Sequence, residues 1–242
     1  MAGKMELQFL GVGSFFTKTD YHNNLCINSN ILIDCGFTAA RSLRDQGRNF
    51  GDIDHLFITH THADHIGGLE ECAFFNRYVA GERKPKLNLP APLADQLWEG
   101  SLRHGMQDEA AGAHGLEDYF DMVVVQDTFE IEGVSFRVVP TNHVTDKFCC
   151  GLVIDDRVYF SGDTRFDPDM VSEHGSSADV IYHEVQFFEG GIHTGLTELM
   201  TLPEELRNKI SLMHYGDNWV DFQTEAEEAG FSWARRHVSY TH

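Results

Sequence analysis

The sequence predicts an α/β protein built as a four-layer αββα sandwich, with two sheets packed together and helices outside. Three observations carry that expectation. Pairs of β-like runs alternate with helix-like runs, and the pattern occurs in each half of the 242-residue chain. No repeat, low-complexity tract or Pro-rich linker interrupts residues 1–242, so they are read as a single domain. Residues of metal-ligand type follow directly after apolar β-like runs in both halves, as they would if several strands delivered them to one sheet edge.

The elements follow in order. Met5-Glu6-Leu7-Gln8-Phe9-Leu10 alternates as a first strand. Gly11-Val12-Gly13-Ser14 then offers either a phosphate cradle or, the commoner use of such glycines, a tight turn. Leu25 to Asn28 and Ile31 to Asp34 read as a hairpin through Ser29-Asn30. Thr38 to Gln46 reads as a helix with Gly47 past its end. Leu56-Phe57-Ile58 is a short buried strand, and Leu69 to Val79 has helical apolar spacing. Lys86 to Leu89 is a strand and Pro92 to Leu102 a helix, whereas the polar, small segment Gly105 to Gly115 reads as a mobile loop. Two hairpins follow, one turning at Glu132-Gly133 and one at Asp155-Asp156.

Between the strand-like run Leu56-Phe57-Ile58 and the helix beginning at Leu69 lies Thr59-His60-Thr61-His62-Ala63-Asp64-His65. Neutral imidazoles suit zinc and related borderline metals, and a carboxylate hardens part of the site. So many ligands in one loop exceed what a single tetrahedral catalytic centre with an open position needs. A pair of metals sharing the loop is the expectation. Solvated loop histidines are the bland alternative in a chain with 14 His, but burying such groups beside an apolar strand without a metal is costly. Three further residues end apolar runs: His143 after Val138-Val139-Pro140, Asp163 after Tyr159-Phe160-Ser161-Gly162, and His214 after Ile210-Ser211-Leu212-Met213.

The formal charge of −20 argues against gripping a long polyanion, whose binding rests on basic surface and counterion release. A small anion can still enter a metal-lined pocket. The 5 cysteines, Cys26, Cys35, Cys72, Cys149 and Cys150, lack C-x-x-C spacing and read as small core hydrophobes in a reducing compartment. No window approaches a membrane span, and the N-terminus lacks a signal-peptide pattern, so a cytoplasmic protein is expected.

With these stretches assembled, the chain resembles a metallo-β-lactamase-fold hydrolase of the ribonuclease Z-like branch. The resemblance rests on Phe9 to Gly13, Ile33 to Gly36, Thr59 to His65, Asn142-His143, Ser161 to Thr164, His183-Glu184, His193 to Glu198 and Met213-His214. It implies one metal on His60, His62 and His143, a second on Asp64, His65 and His214, and Asp163 bridging. Asp64-His65 stands where many lactamases have an arginine, and Asp163 where a cysteine ligand is common, which points to phosphoesters. Two divalent ions, zinc or alternatively manganese, would then pull the pKa of a water from about 15.7 toward about 7 and neutralise phosphoryl charge. His193, oriented by Glu184, is the candidate general acid, and Asp64 is a candidate to orient the attacking water.

Ribonuclease Z enzymes that process tRNA carry a protruding basic, glycine-rich arm, and this sequence has no such insertion. Tyr21 to Asn24, Asp34 to Leu43 and His65 to Glu71 look closest to the anti-Pycsar proteins, which hydrolyse cyclic nucleotide messengers of a bacterial defence system. That subfamily implies a homodimer acting on 3′,5′-cyclic CMP or UMP, a phage counter-defence role, and broad base tolerance. His22, Asn23 and Asn24 would contact the substrate or shape their loop. Two other readings stay open: an RNA 3′-processing endonuclease, and a binding protein that sequesters a cyclic nucleotide without turnover.

Overall fold

A computed structural model describes residues 4–242. Six strands come first: β1 (Glu6–Gly11), β2 (Asn24–Ile27), β3 (Ile31–Ile33), β4 (His55–Phe57), β5 (Lys86–Pro90) and β6 (Asp121–Val125). Seven more follow: β7 (Thr128–Ile131), β8 (Val134–Pro140), β9 (Cys150–Ile154), β10 (Val158–Phe160), β11 (Val180–Glu184), β12 (Ile210–Met213) and β13 (Ser232–Trp233). The last strand, β14 (Ser239–Thr241), returns to pair antiparallel with β1, Glu6 facing Thr241. Two seven-stranded sheets result, ordered β14-β1-β2-β3-β4-β5-β6 and β13-β12-β11-β10-β9-β8-β7.

Period-2 alternation sorts the first sheet's side chains between two apolar layers. Leu25, Ile27, Ile31, Ile33 and Phe57 pack in one cluster with Phe136, Leu152, Ile154 and Phe160 of the second sheet. The intervening Cys26, Leu32 and Leu56 join a second cluster with residues of helices α1 (Ala39–Asp45), the one-turn α2 (Ala63–Ile66), α3 (Leu69–Tyr78) and α4 (Ala91–Leu97). The second sheet is flanked by α6 (Pro168–Gly175), α7 (Leu196–Leu199) and α8 (Glu204–Arg207), whose Val171, Leu199 and Leu206 are buried. The expected αββα layering is the observed one.

Local sequence explains most elements. Asp167 caps α6 by accepting the Met170 N–H, and Pro168 occupies its first turn, where a missing donor costs nothing. The hairpins β7–β8 and β9–β10 turn on Glu132-Gly133 and Asp155-Asp156, each pair with positive φ. That is the primed turn whose twist matches the strands. The first hairpin turns one residue earlier than expected, on Asn28 (φ 47°) and Ser29 (φ 65°). The helix expected over Pro92 to Leu102 widens into a π turn at Trp98–Leu102 and continues as α5 (Arg103–Met106).

The segment Gly105 to Gly115 departs most from expectation. Gly105 is helical, Asp108 and Ala113 exchange both backbone hydrogen bonds (2.9 and 2.8 Å), and Met106 and Ala113 are buried. It is a closed, anchored turn because Met106 and Ala113 reach the core, while Ala110 and Ala111 stay exposed. All five cysteines are buried free thiols. Among the described residues, no helix is long and apolar enough to cross a membrane.

Candidate metal centre

The site is built where strands end and the chain turns sharply. Asp34 follows β3 with φ 63°, Gly162 follows β10 with φ 58°, and His214 follows β12 with φ 54°. A left-handed exit is costly for a residue with a Cβ, roughly 1–2 kcal/mol. Asp34 and His214 nonetheless adopt it, which swings each side chain over the sheet end. Gly36 closes the same corner, since a Cβ there would run into the Asp64 carbonyl. Gly11 likewise packs against the Tyr21 and His22 carbonyls, so the Gly-x-Gly serves close backbone approach.

The histidine stretch is a loop only through His62; Asp64 and His65 lie on α2. One carboxylate oxygen, Asp163 Oδ2, faces most of the imidazoles around it. It lies 3.7 Å from His60 Nε2, 3.4 Å from His65 Nε2, 3.7 Å from His143 Nε2 and 3.5 Å from His214 Nε2. His62 Nδ1 and His143 Nε2 approach to 3.2 Å, and His214 Nε2 lies 3.1 Å from Asp64 Oδ2. Three groups have donor atoms mutually within 4.8 Å: His60/His62/His143/Asp163, Asp64/His65/His214, and Asp163/Glu184/His193/His214. The first two unite all the residues that the sequence singled out as ligands.

The ring nitrogens facing away from the centre are held by the protein. His65 Nδ1 lies 2.7 Å from Asp34 Oδ2, His60 Nδ1 3.1 Å from Thr59 Oγ1, and His143 Nδ1 2.8 Å from the Ile192 carbonyl. Such outer partners fix tautomer and ring orientation. The inward-facing atoms, by contrast, are buried and unpartnered: His60 Nε2, His65 Nε2 and both oxygens of Asp163. Buried polar atoms are otherwise nearly always satisfied. Their convergence, with imidazole and carboxylate donors only, fits a divalent cation of zinc or manganese type.

Electrostatics divide the cluster. Burial pushes the His60, His62 and His143 imidazolium forms down, with neighbouring histidines adding to the effect, so their lone pairs stay free. Burial opposes charge on His65 and His214 too, but the carboxylates of Asp163 and Asp64 overcome it. They raise His65 well above its ordinary value and His214 to about 10. A proton there occupies the place a cation would take.

Beside this cluster sits a fully buried Glu184. Its Oε1 accepts the Thr164 N–H, and its Oε2 lies 2.6 Å from His193 Nδ1. Although burial opposes protonation of His193, the Glu184 and Asp163 carboxylates outweigh it and raise the imidazole. With Nδ1 engaged, Nε2 is the ring's remaining nitrogen.

The substrate candidates fare differently. His22 is buried with Nδ1 unpartnered, its ring 6.4 Å from that of Phe15 and 6.1 Å from that of Phe37. Burial lowers it, opposed by Asp64 and reinforced by His65 and His214, and its Cβ crowds the same Gly36 corner as the Asp64 carbonyl. Asn23 donates to Met213 Sδ, with Oδ1 unpartnered. Asn24 has both polar ends committed, donating to the Asn23 carbonyl and accepting the Gly36 N–H, so its side chain secures the loop. Asp34, which carries no functional expectation from the sequence, accepts from the Thr59 N–H and hydroxyl as well as holding His65. The signal was there: an acidic residue directly after an apolar run, as for Asp163.

Fold and site define the class, a metallo-β-lactamase-fold protein. The chain superposes on the metallo-β-lactamase fold protein YhfI from Bacillus subtilis with a TM-score of 0.77 at 16% identity, covering 99% of this chain and 100% of that one. A diphosphatase from the PhnP family gives 0.76 at 16% identity over 100% and 98%, and the short form of human tRNase Z 0.66 at 17% over 97% and 98%. Sequence narrows the class. The profile described as anti-Pycsar protein Apyc1 matches residues 5–240. Anti-Pycsar protein Apyc1 of Bacillus phage 010DV004 is 40% identical over 93% of this chain and 95% of its own. That of Paenibacillus xerothermodurans is 37% identical over 98% of each. The chain belongs to the anti-Pycsar Apyc1 family.

Proposed function

We propose that this protein is a binuclear metal-dependent phosphodiesterase that opens 3′,5′-cyclic nucleotides of the cyclic CMP and UMP type to linear monophosphates, in a phage counter-defence role. What carries the reading is the set of converging, unpartnered buried donors around Asp163 beside a carboxylate-paired histidine. Sequestration without turnover needs neither. In this reading His60, His62 and His143 would hold one cation and Asp64, His65 and His214 the other, and Asp163 would serve both. When bound, the cations supply an acidified water and neutralise phosphoryl charge.

The chain's own residues do the rest. Asp64, on the short helix α2, orients the attacking water. His193, kept protonated by Glu184, gives its Nε2 proton to the leaving sugar oxygen, which would otherwise depart as an alkoxide. His22 borders the substrate, while Asn23 and Asn24 shape the loop that carries it. A His-rich donor set favours zinc, with manganese also accommodated. The family name supports a cyclic nucleotide substrate. We further propose a cytoplasmic homodimer in which residues 1–242 act as one hydrolase domain.

Purified protein incubated with cyclic nucleotides and with precursor tRNA, with and without chelator, tests the reading. Linear monophosphate formed only without chelator is the expected result. Trimmed tRNA would make it a ribonuclease, and retention without conversion a binding protein.

A further inference from the structure

Three large aromatics remain exposed on one cavity: Phe15 (42% exposed), Phe16 (80%) and Phe188 (67%). Single exposed apolar residues are ordinary, but a contiguous group marks a binding surface. These three line a cavity of about 130 Å³ that also reaches His193 and His214. Pockets that take up a whole small-molecule ligand span roughly 300–1,000 Å³. The cavity therefore has room for only one part of a ligand, and it opens toward the histidine cluster at His193 and His214.

Its walls are braced for that purpose. Phe15 and Phe16 pack edge-on with centroids 5.0 Å apart. Phe188 lies on the loop between Glu184 and His193, tied down by the Gln186 side-chain amide, which donates to the Phe188 and Gly190 carbonyls. Phe187, next in the chain, stacks on Phe222 at 4.7 Å and anchors the loop from the other side. Phe188 and the candidate acid thus belong to one tethered excursion, while Phe15 and Phe16 come from the segment between β1 and β2.

We propose that Phe15, Phe16 and Phe188 form the base-binding site, stacking the heteroaromatic ring of the substrate while its phosphate lies over the His/Asp cluster. This rests on the phosphodiesterase reading and adds to it the residues that grip the base. Stacking tolerates any base, because purines and pyrimidines both present a π face. Base–aromatic stacking lost on truncation corresponds to roughly five- to 150-fold in affinity.

The test uses Phe16→Ala and Phe188→Ala, both at exposed positions, and Phe188→Tyr as the conservative variant. Turnover of a 3′,5′-cyclic nucleotide is compared with that of an abasic 3′,5′-cyclic ribose phosphate, and binding of nucleoside 5′-monophosphate with that of ribose 5-phosphate is followed by calorimetry. The preference for the base-bearing compound should fall roughly five- to 150-fold in the alanine variants, mainly through KM, and recover in Phe188→Tyr. An unchanged preference in both alanine variants overturns the proposal. So does altered sedimentation with the preference intact, which would make the patch a contact between copies. Should the wild type hydrolyse neither compound, the phosphodiesterase reading fails, and the calorimetric preference alone decides whether the shelf stacks bases.

Discussion

Replacing Glu184 by Gln probes the proposed acid directly. Both carboxylate oxygens face donors: Oε1 the Thr164 N–H, Oε2 the His193 Nδ1 at 2.6 Å and His214 Nδ1 at 3.6 Å. A glutamine amide has only one acceptor. With its oxygen on the Thr164 N–H, its NH₂ faces His193 Nδ1 and can donate only to a neutral imidazole, so the charged partner that favours the imidazolium is gone. A hydrogen bond to a charged group is worth about 1.5–3 kcal/mol. If that energy is realised when the leaving oxygen takes its proton, kcat/KM on a cyclic nucleotide falls roughly ten- to 150-fold. Bis(4-nitrophenyl) phosphate, whose leaving group departs without a proton, should be far less affected. Metal content, measured by elemental analysis, should stay at the wild-type level. His193→Ala should lose about 10²–10⁴-fold on the cyclic substrate, and adding Glu184→Gln to it should cost little more, because the two act as one unit. Equal losses on both substrates, or full additivity with metal retained, would refute the assignment of the proton to His193.

Three other outcomes are expected. Asp163→Ala and His62→Ala should each abolish turnover and lower the bound metal per chain, and near-normal activity in either would sink the cage as drawn. Because His65 and His214 are raised without a cation, protons compete there. Acidification should therefore strip the Asp64/His65/His214 position before the His60/His62/His143 position, whose lowered imidazoles need no proton removed. Metal analysis across a pH series of dialysed samples reads this, and simultaneous loss contradicts it. Asp34→Asn leaves His65 Nδ1 without its carboxylate at 2.7 Å, and metal affinity should drop about 10–100-fold while the circular dichroism spectrum holds.

The fold was legible where sequence periodicity and turn chemistry agree. Glu132-Gly133 and Asp155-Asp156 announce their hairpins, and the apolar runs before His60, Asp163 and His214 announce strand ends. Pairings between distant segments left no such mark. The strand Ser239–Thr241 is too short and too polar to read as one until Glu6, Leu7 and Gln8 pair with it. Gly105 to Gly115 looked like a loop because its polar and small residues outnumber Met106 and Ala113, yet those two reach the core. At the site, residue type and local spacing exposed the inward-facing atoms of the cluster. The outward-facing partners, Asp34 and the Ile192 carbonyl, depend on three-dimensional neighbours, and a backbone carbonyl has no sequence signature at all.

The cluster of metal-ligand type side chains lies on a seam. His60, His62, Asp64 and His65 leave the first sheet after β4, whereas His143, Asp163 and His214 leave the second after β8, β10 and β12. A cation seated among them is a rivet through two plates. Its removal should loosen the plates against each other and lower the melting temperature. Conversely, a repacking substitution deep between the sheets, such as at Phe57 or Leu152, would misalign the rivet holes and weaken metal retention from a distance.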